Sequence, residues 1–282
     1  MHSKVLFDQI TKQLLVIESK GEAQSLALLL LEDLYGIDKT DILVDKPIAD
    51  CTAQKEQLNT YVARLLNHEP IQHIIGYVTF YGRKFLVNKN VLIPRNETEE
   101  LVHLILSENK ALEDAKIVDI GTGSGIIPIS LKKERPKNEV IAIDVSTAAL
   151  ATAKRNATLN NASIIFMEDD ILISEALYLK DADIVVSNPP YVMEYEKMAM
   201  EEKVKAHDPG LALFVEDDDP LKFYKAIIEK TALRIKEGGL LYFEINEQMG
   251  ASTVLLLQEN NFKKIRLIKD MHGKDRFTVA EK

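Results

Sequence analysis

From Lys116 onward the chain alternates short apolar runs with segments of helical period, and this alternation restricts its architecture more than any other feature. The apolar runs are KIVDI, VIAIDV, SIIFMED, DIVVSN and GLLYFEIN. Helices are predicted at IIPISLKKE, ALATAKRNATL, FYKAIIEKTALRIK and ASTVLLLQEN, and closing strands near KKIRLIKD and RFTVAEK. Strands that are apolar throughout need cover on both faces, which a mostly parallel sheet between helices provides. The fold class is therefore α/β.

Residues 4–75 have a different texture and read as helical. Val5, Ile10, Leu14, Leu15 and Ile17 are spaced for one buried helix face, with Gly21 as its expected stop. A second helix follows in AQSLALLLLEDLYG and ends at Gly36. A third runs from about Thr52 to Asn67 with Leu58, Tyr61, Val62, Leu65 and Leu66 inward, and Pro70 bars its continuation. Short links between them predict a small bundle. From Gly76 to Val87 the pattern YVTF, a tight YG turn and RKFLV predicts a hairpin, and NETEELVHLILS then opens a helix. The expected division is a helical domain at 1–75, a β-hairpin linker at 76–95 and the α/β domain at 96–282.

Composition removes several function classes. The 282 residues carry 44 acids against 35 basic residues, net −9, with a pI of about 5.3, which weakens any reading that needs a broad phosphate-binding surface. A single cysteine, Cys51, excludes an internal disulfide and any multi-cysteine metal centre. Asp8 interrupts any signal-peptide core, and the apolar run Leu26 to Leu31 is far shorter than the roughly 20 residues of a membrane helix. A soluble protein of the reducing cytoplasm, with no membrane partner, is expected. The six histidines show no metal-ligand spacing, so no metal is expected, and there is neither a G-x-S-x-G elbow nor a G-x-x-x-x-G-K-[ST] loop.

Two strand ends carry ligand chemistry. IVDIGTGSGIIPIS puts Gly121, Gly123 and Gly125 between a strand and a helix, where glycines let backbone N–H groups approach a ligand and the helix start favours negative charge. Ile126 stands where the dinucleotide fingerprint continues, so the form suits a small carboxylate better than a pyrophosphate. The next strand, VIAID, ends in Asp144, placed to accept from a ribose diol or to cap the helix starting at Ser146 or Thr147. Asp170, after the third strand, is placed to accept from an adenine amino group, with Asp169 beside it as a second acid.

DIVVSNPPYV is the most informative stretch. It leads from a buried strand into Asn188, Pro189, Pro190 and Tyr191. The prolines lack N–H groups and stiffen the turn, so it presents acceptors with few competing donors, and each residue before a proline is held extended. The Asn188 side-chain oxygen and the Pro189 carbonyl are placed to accept both hydrogens of an –NH2 group, with the Tyr191 ring to pack on a planar acceptor. A conjugated amine or amide nitrogen, which needs orientation more than a strong base, suits this arrangement.

Together DIGTGSG, AID and SNPPY resemble S-adenosylmethionine-dependent amino-methyltransferases. Within these, EPIQHIIGYVTFYGRKFLVNKNVLIPRNETEELV, YKAIIEKTALRIKEGG, FEINEQMG and KDMHGKDRF are similar to release-factor glutamine methyltransferases of the HemK/PrmC type. The similarity spans nearly the whole chain, strongest from Glu69 to Thr98 and at NPPY. It implies a Rossmann-like methyltransferase domain behind an all-helical domain and a hairpin linker. It implies S-adenosylmethionine as cofactor, held by Gly121, Thr122, Gly123, Ser124, Gly125, Asp144, Asp170, Ile171 and Asn188. The implied substrate is the glutamine of the GGQ motif in peptide-chain release factors, held by Asn188, Pro189, Pro190 and Tyr191, with Asn188, Pro189 and Tyr191 as catalytic residues. A monomer without direct nucleic-acid contact is expected. Two positions depart from the family pattern: Asn96 replaces a proline in PRPETE, and Ile171 replaces an aromatic residue near the adenine.

An N6-adenine methyltransferase acting on DNA or RNA is the main alternative, since its motif resembles NPPY. Local charge opposes it: residues 194–219 hold nine acids and three lysines, and residues 1–75 hold eleven acids against seven basic residues. A cofactor-binding sensor is a second alternative, but a sensor has no use for an amine-orienting turn.

Overall fold

A computed structural model of the protein describes residues 1–49, 51–193, 214–215 and 218–282. The described residues divide after Gly76 into two compact units.

The first unit contains α1 (Ser3–Leu14), α2 (Lys20–Tyr35), α3 (Lys39–Leu43), α4 (Thr52–Leu66) and α5 (Ile71–Ile75). Its core joins Leu6, Ile10 and Leu14 to Leu26, Leu30, Leu58, Val62, Leu65 and Ile71. The predicted buried face of α1 needs correction. The inward row is Leu6, Ile10 and Leu14, four residues apart, whereas Val5 and Leu15 sit about 100° away and are half exposed. Leu66, at the last turn of α4, is likewise exposed rather than inward. Gly21 does not end α1 but lies in the first turn of α2. Ser19 starts that helix, its hydroxyl accepting from the Glu22 N–H. Gly36 does end α2, in the left-handed conformation at φ 61°. Pro70 precedes α5, and α3 begins with a capping box between Asp38 and Asp41.

The second unit begins with β1 (Tyr77–Phe80) and β2 (Arg83–Leu86). Both central turn residues, Tyr81 and Gly82, have positive φ, the backbone that lets a two-residue loop follow the twist of its strands. After α6 (Asn96–Glu108) come β3 (Lys116–Ile120), α7 (Ile126–Glu134), β4 (Glu139–Asp144), α8 (Thr147–Leu159), β5 (Ile165–Glu168) and β6 (Ile184–Ser187). The short β7 (Val192–Met193) and β8 (Phe214–Val215) pair with each other. The chain then forms α9 (Lys222–Arg234), β9 (Leu240–Glu244), α10 (Gly250–Glu259), β10 (Lys263–Lys269) and β11 (Asp275–Glu281).

Seven strands form one sheet in the order β10-β11-β9-β6-β3-β4-β5. From β9 to β5 all neighbours are parallel, and only β11 runs the other way, pairing antiparallel with both β9 and β10. Side chains alternate between two cores. Val118, Ile120, Val185, Leu241 and Phe243 pack with Tyr224, Ile227 and Leu257 from α9 and α10. Ile117, Ile184, Val186 and Tyr242 pack with Leu101, Ile105 and Ile129 from α6 and α7, joined by Phe80 and Phe85 of the hairpin. Cover on both faces holds for the central strands, while edge strand β5 leaves Ile165 and Met167 exposed. Among the described residues no helix is long and apolar enough to cross a membrane.

Candidate active site

The chain leaves β3 toward β4 and β5, then crosses back to place β6 against the other side of β3. Parallel sheets open a crevice at such a reversal, outside the carboxyl ends of the strands. Here it is a cavity of about 480 Å³, lined by Gly121–Ser124, Asp144, Asp169–Leu172, Ser187–Pro190, the segment 89–95 and Phe223 of α9. That volume suits a nucleoside-sized ligand.

The glycine loop owes its shape to backbone geometry. Gly121, Gly123 and Gly125 have φ of 75°, 54° and 80°, which L side chains rarely adopt. Gly125 also lies against α8, so that a Cβ there would meet Ala153 Cβ at 3.1 Å and Ile129 Cδ1 at 3.0 Å. The expected role of these glycines as ligand donors is altered by what their N–H groups touch. Gly121 and Thr122 donate to the Ile143 carbonyl, each at 2.9 Å, and Gly125 donates to Thr122 O. Gly123 donates to Asp144 Oδ2 at 2.8 Å. The glycines thus let the chain pass close to β4 and α8, and their own N–H groups are already bonded within the protein.

Asp144 lines the cavity, while the cap of α8 is the Ser146 hydroxyl, which accepts from Ala149 N–H. The other Asp144 oxygen accepts from Ser146 N–H at 2.9 Å, at the start of α8. Each carboxylate oxygen can accept more than once, so the carboxylate keeps acceptor capacity toward the cavity. Burial raises its pKa, and the N–H groups of Ser146 and Gly123 oppose that shift.

One acid escaped the sequence reading. Asp119 in β3 is fully buried, and neither carboxylate oxygen has a hydrogen-bond partner. Burial pushes it up to about 7, with nearby Asp144 adding to the rise and Thr122 opposing it. The Thr122 hydroxyl is itself buried without a partner and belongs to the cavity wall. Unpartnered buried acceptors beside a cavity fit a ligand that brings an ammonium group. In the ligand-free protein this acid holds its proton to about pH 7, whereas an unfolded aspartate releases it near 4. Stability from this group therefore declines as pH rises between those values. Asp119→Asn is expected to stabilise the ligand-free protein at pH 8 by about 1–3 kcal/mol and to have little effect at pH 4.5. Urea unfolding at the two pH values checks this; equal effects at both would refute it.

At the far end of the cavity the two neighbouring acids separate. Asp169 receives a short hydrogen bond from the Ser174 hydroxyl. Asp170 Oδ1 accepts from Leu172 N–H at 2.9 Å, and both acids line the cavity. Ile171 is buried there, and Phe223, which the sequence reading did not single out, supplies an aromatic ring to the same cavity.

The Asn188-Pro189-Pro190 turn lines the cavity where β6 ends, directly beside the glycine loop in the sheet. Ser187 Oγ fixes this exit by donating to the Ile120 carbonyl at 2.7 Å. Tyr191 is not part of the cavity lining. Its hydroxyl donates to Glu244 Oε1 at 3.4 Å, and burial raises its pKa strongly, helped by the nearby Glu244 charge. Glu244, at the end of β9, is buried and accepts from the Thr98 hydroxyl at 2.8 Å. Burial pushes Glu244 up to about 7, against the pull of Thr98 and of Arg276. Among the described residues no cluster of His, Cys, Asp or Glu could hold a metal ion.

Residues 6–76 match the PrmC N-terminal domain model and residues 96–207 the methyltransferase small domain model. A release factor glutamine methyltransferase of Flavobacterium psychrophilum is 45% identical over 95% of each chain. One of Bacteroides thetaiotaomicron is 43% identical over 93% of each. A solved 16S rRNA methyltransferase from T. thermophilus, in complex with AdoMet and guanosine, shares the fold at a TM-score of 0.51 and 16% identity, over 73% of this chain and 49% of that one. A cavity at the β3–β6 reversal, an acid at the end of β4 and the Asn-Pro-Pro-Tyr exit from β6 thus sit in a sequence that aligns over 93–95% of its length with these two release factor enzymes, and the chain belongs to the release factor glutamine methyltransferase family.

Proposed function

We propose that the protein transfers a methyl group from S-adenosylmethionine to the side-chain N5 nitrogen of the glutamine in the GGQ motif of peptide-chain release factors. The observation that carries this reading is the Asn188-Pro189 turn at the cavity, in a chain 45% identical to a release factor glutamine methyltransferase over 95% of its length. When bound, S-adenosylmethionine supplies an electrophilic methyl group on a sulfonium centre. Asp119 and Thr122 sit where its ammonium would be held, the Gly121–Gly125 loop with Ser124 shapes the wall, and Asp144 takes the ribose diol. Asp170 and Ile171 border the adenine, and Asn188 completes the cofactor wall.

An amide nitrogen is a poor nucleophile because its lone pair is delocalised. Asn188 Oδ1 and the Pro189 carbonyl accept its two N–H bonds, which raises electron density on nitrogen and fixes its direction. Pro190 keeps the turn stiff, and Tyr191 anchors it from behind. Such positioning supplies several kcal/mol of the barrier, about 7 or more in the best-oriented cases. The nitrogen becomes acidic only once methylated, so its proton passes to solvent without a dedicated base.

Residues 1–75 are proposed as the domain that docks the release factor, 76–95 as a hairpin linker and 96–282 as the transfer domain. Val16, Leu43 and Val44 of the helical unit are exposed apolar residues consistent with protein docking. We place the reaction in the cytoplasm and the enzyme as a monomer. The acid-rich stretch 194–219, of which only residues 214–215 and 218–219 lie among the described residues, opposes a phosphate backbone. Incubated with enzyme and cofactor, a release factor is expected to gain one methyl group on the GGQ glutamine, by mass spectrometry, and to gain none when that glutamine is replaced. Methyl-adenine formed in DNA or RNA at low salt, where phosphate attraction is greatest, would overturn the assignment.

A further inference from the structure

The proposed function requires the oxygen end of the Asn188 amide to face the acceptor, yet the two ends of an amide are nearly the same shape. Something must choose between them. Asn188 Nδ2 lies 3.5 Å from Thr98 Oγ1, and that hydroxyl lies 2.8 Å from Glu244 Oε2. Thr98 comes from the first turn of α6 and Glu244 from the last residue of β9, and both side chains are buried. A hydroxyl has one proton. If Thr98 gives it to a carboxylate, it can only accept from Asn188, and acceptance selects the nitrogen end.

We infer that Glu244, acting through Thr98, is the positioning device that turns the Asn188 carboxamide so that Oδ1 faces the acceptor nitrogen. The surroundings of Glu244 keep it an acceptor. Its second oxygen receives the Tyr191 hydroxyl at 3.4 Å, and its backbone carbonyl receives the Tyr224 hydroxyl at 3.1 Å. Arg276 places positive charge beside it and is itself held by Asp270 through its Nε at 3.2 Å, while among the described residues Glu97 supplies the opposing charge. At pH 8, above the value near 7 to which burial pushes Glu244, the carboxylate is mostly ionised and can only accept. The Nδ2–Thr98 separation is long for a hydrogen bond, as pairs in ligand-free sites often are before the complex closes. Neither Thr98 nor Glu244 reacts.

The inference rests on the function proposed above, so its test has one arm independent of the acceptor. Thr98→Val keeps the shape and removes the hydroxyl; Thr98→Ser keeps the hydroxyl and removes the methyl. With Asn-selective 15N labelling at pH 8, the Asn188 side-chain N–H signals, assigned by their loss in Asn188→Ala, report solvent exchange. Exchange is expected to quicken at least tenfold in Thr98→Val and to stay within threefold of wild type in Thr98→Ser. In single turnover with saturating cofactor, release-factor methylation is expected to fall about 10–100-fold in Thr98→Val and to recover in Thr98→Ser. A side chain that merely fills space gives the reverse order, because serine loses the packed methyl and valine does not. Unchanged exchange in Thr98→Val, or a valine variant as fast as the serine one, overturns the inference. A wild-type enzyme that methylates no release factor overturns the functional reading instead, while the exchange arm still decides the positioning.

Discussion

Asn188→Ala is expected to lower the rate of methyl transfer in single turnover by about 10²–10³-fold, the loss typical of a preorganised polar group aimed at the reacting atoms. The truncated side chain leaves the Pro189 carbonyl to hold the acceptor nitrogen by one N–H, so orientation is lost along with polarisation. Cofactor affinity, measured by calorimetry, should change only a few-fold. Asp144→Ala should behave in the opposite sense. Losing a charged acceptor for the ribose diol costs about 1.5–3 kcal/mol, which is roughly 10–150-fold in Kd, with transfer near normal once cofactor saturates. An Asn188→Ala enzyme that keeps its rate would remove the amide from the mechanism.

The second large effect concerns stability. Gly125→Val places a β-branched side chain at φ 80° and drives its Cβ to within 3.1 Å of Ala153. Left-handed backbone costs about 1–2 kcal/mol for a residue with a Cβ, and overpacking a tight contact adds about 1–3. The methyltransferase unit should melt lower by about 5–15 °C. Gly123→Val is the control: its φ of 54° carries the backbone cost, but nothing lies within 4 Å of an added Cβ. Calorimetric melting of both variants checks the comparison, and equal losses would mean that packing against α8 contributes nothing.

Much of this site could be read from the sequence because its parts sit at strand ends. Asp144 and Asn188 each follow a continuous apolar run, and in a strand covered on both faces the first polar residue marks where that cover ends. What stayed hidden was long-range. Thr98 and Glu244 are 146 positions apart, and nothing in either neighbourhood announces the other. Glu244 ends an apolar strand, the same local pattern as Asp144, but its side chain turns into the α6 face rather than the cavity. Asp119 was overlooked for a related reason: an acid inside a strand looks like a break in the pattern until its burial is known. In the helical unit the errors were local. Hydrophobic spacing alone puts Val5 and Leu15 on the buried face, because apolar neighbours widen the row that Leu6, Ile10 and Leu14 define at i, i+4 and i+8. Gly21 resembles a stop because a glycine is conspicuous, although Ser19 followed three residues later by Glu22 is the stronger signal of a helix start.

The hairpin has a consequence that reaches the glycine loop. Asn156 of α8 is completely buried, and its side chain behaves as a missing strand. Its oxygen accepts from Leu86 N–H at 2.6 Å, and its nitrogen donates both to Leu86 O at 2.9 Å and to Ser124 O at 2.8 Å. One carboxamide thereby completes the open edge of a two-stranded ribbon and clamps the loop that walls the cavity. Ribbon and loop share this fastening, so loss of the Asn156 carboxamide loosens both. A two-stranded ribbon is marginal by itself in water, but here opening it also breaks its bonds to Asn156 and strips Phe80 and Phe85 from the core.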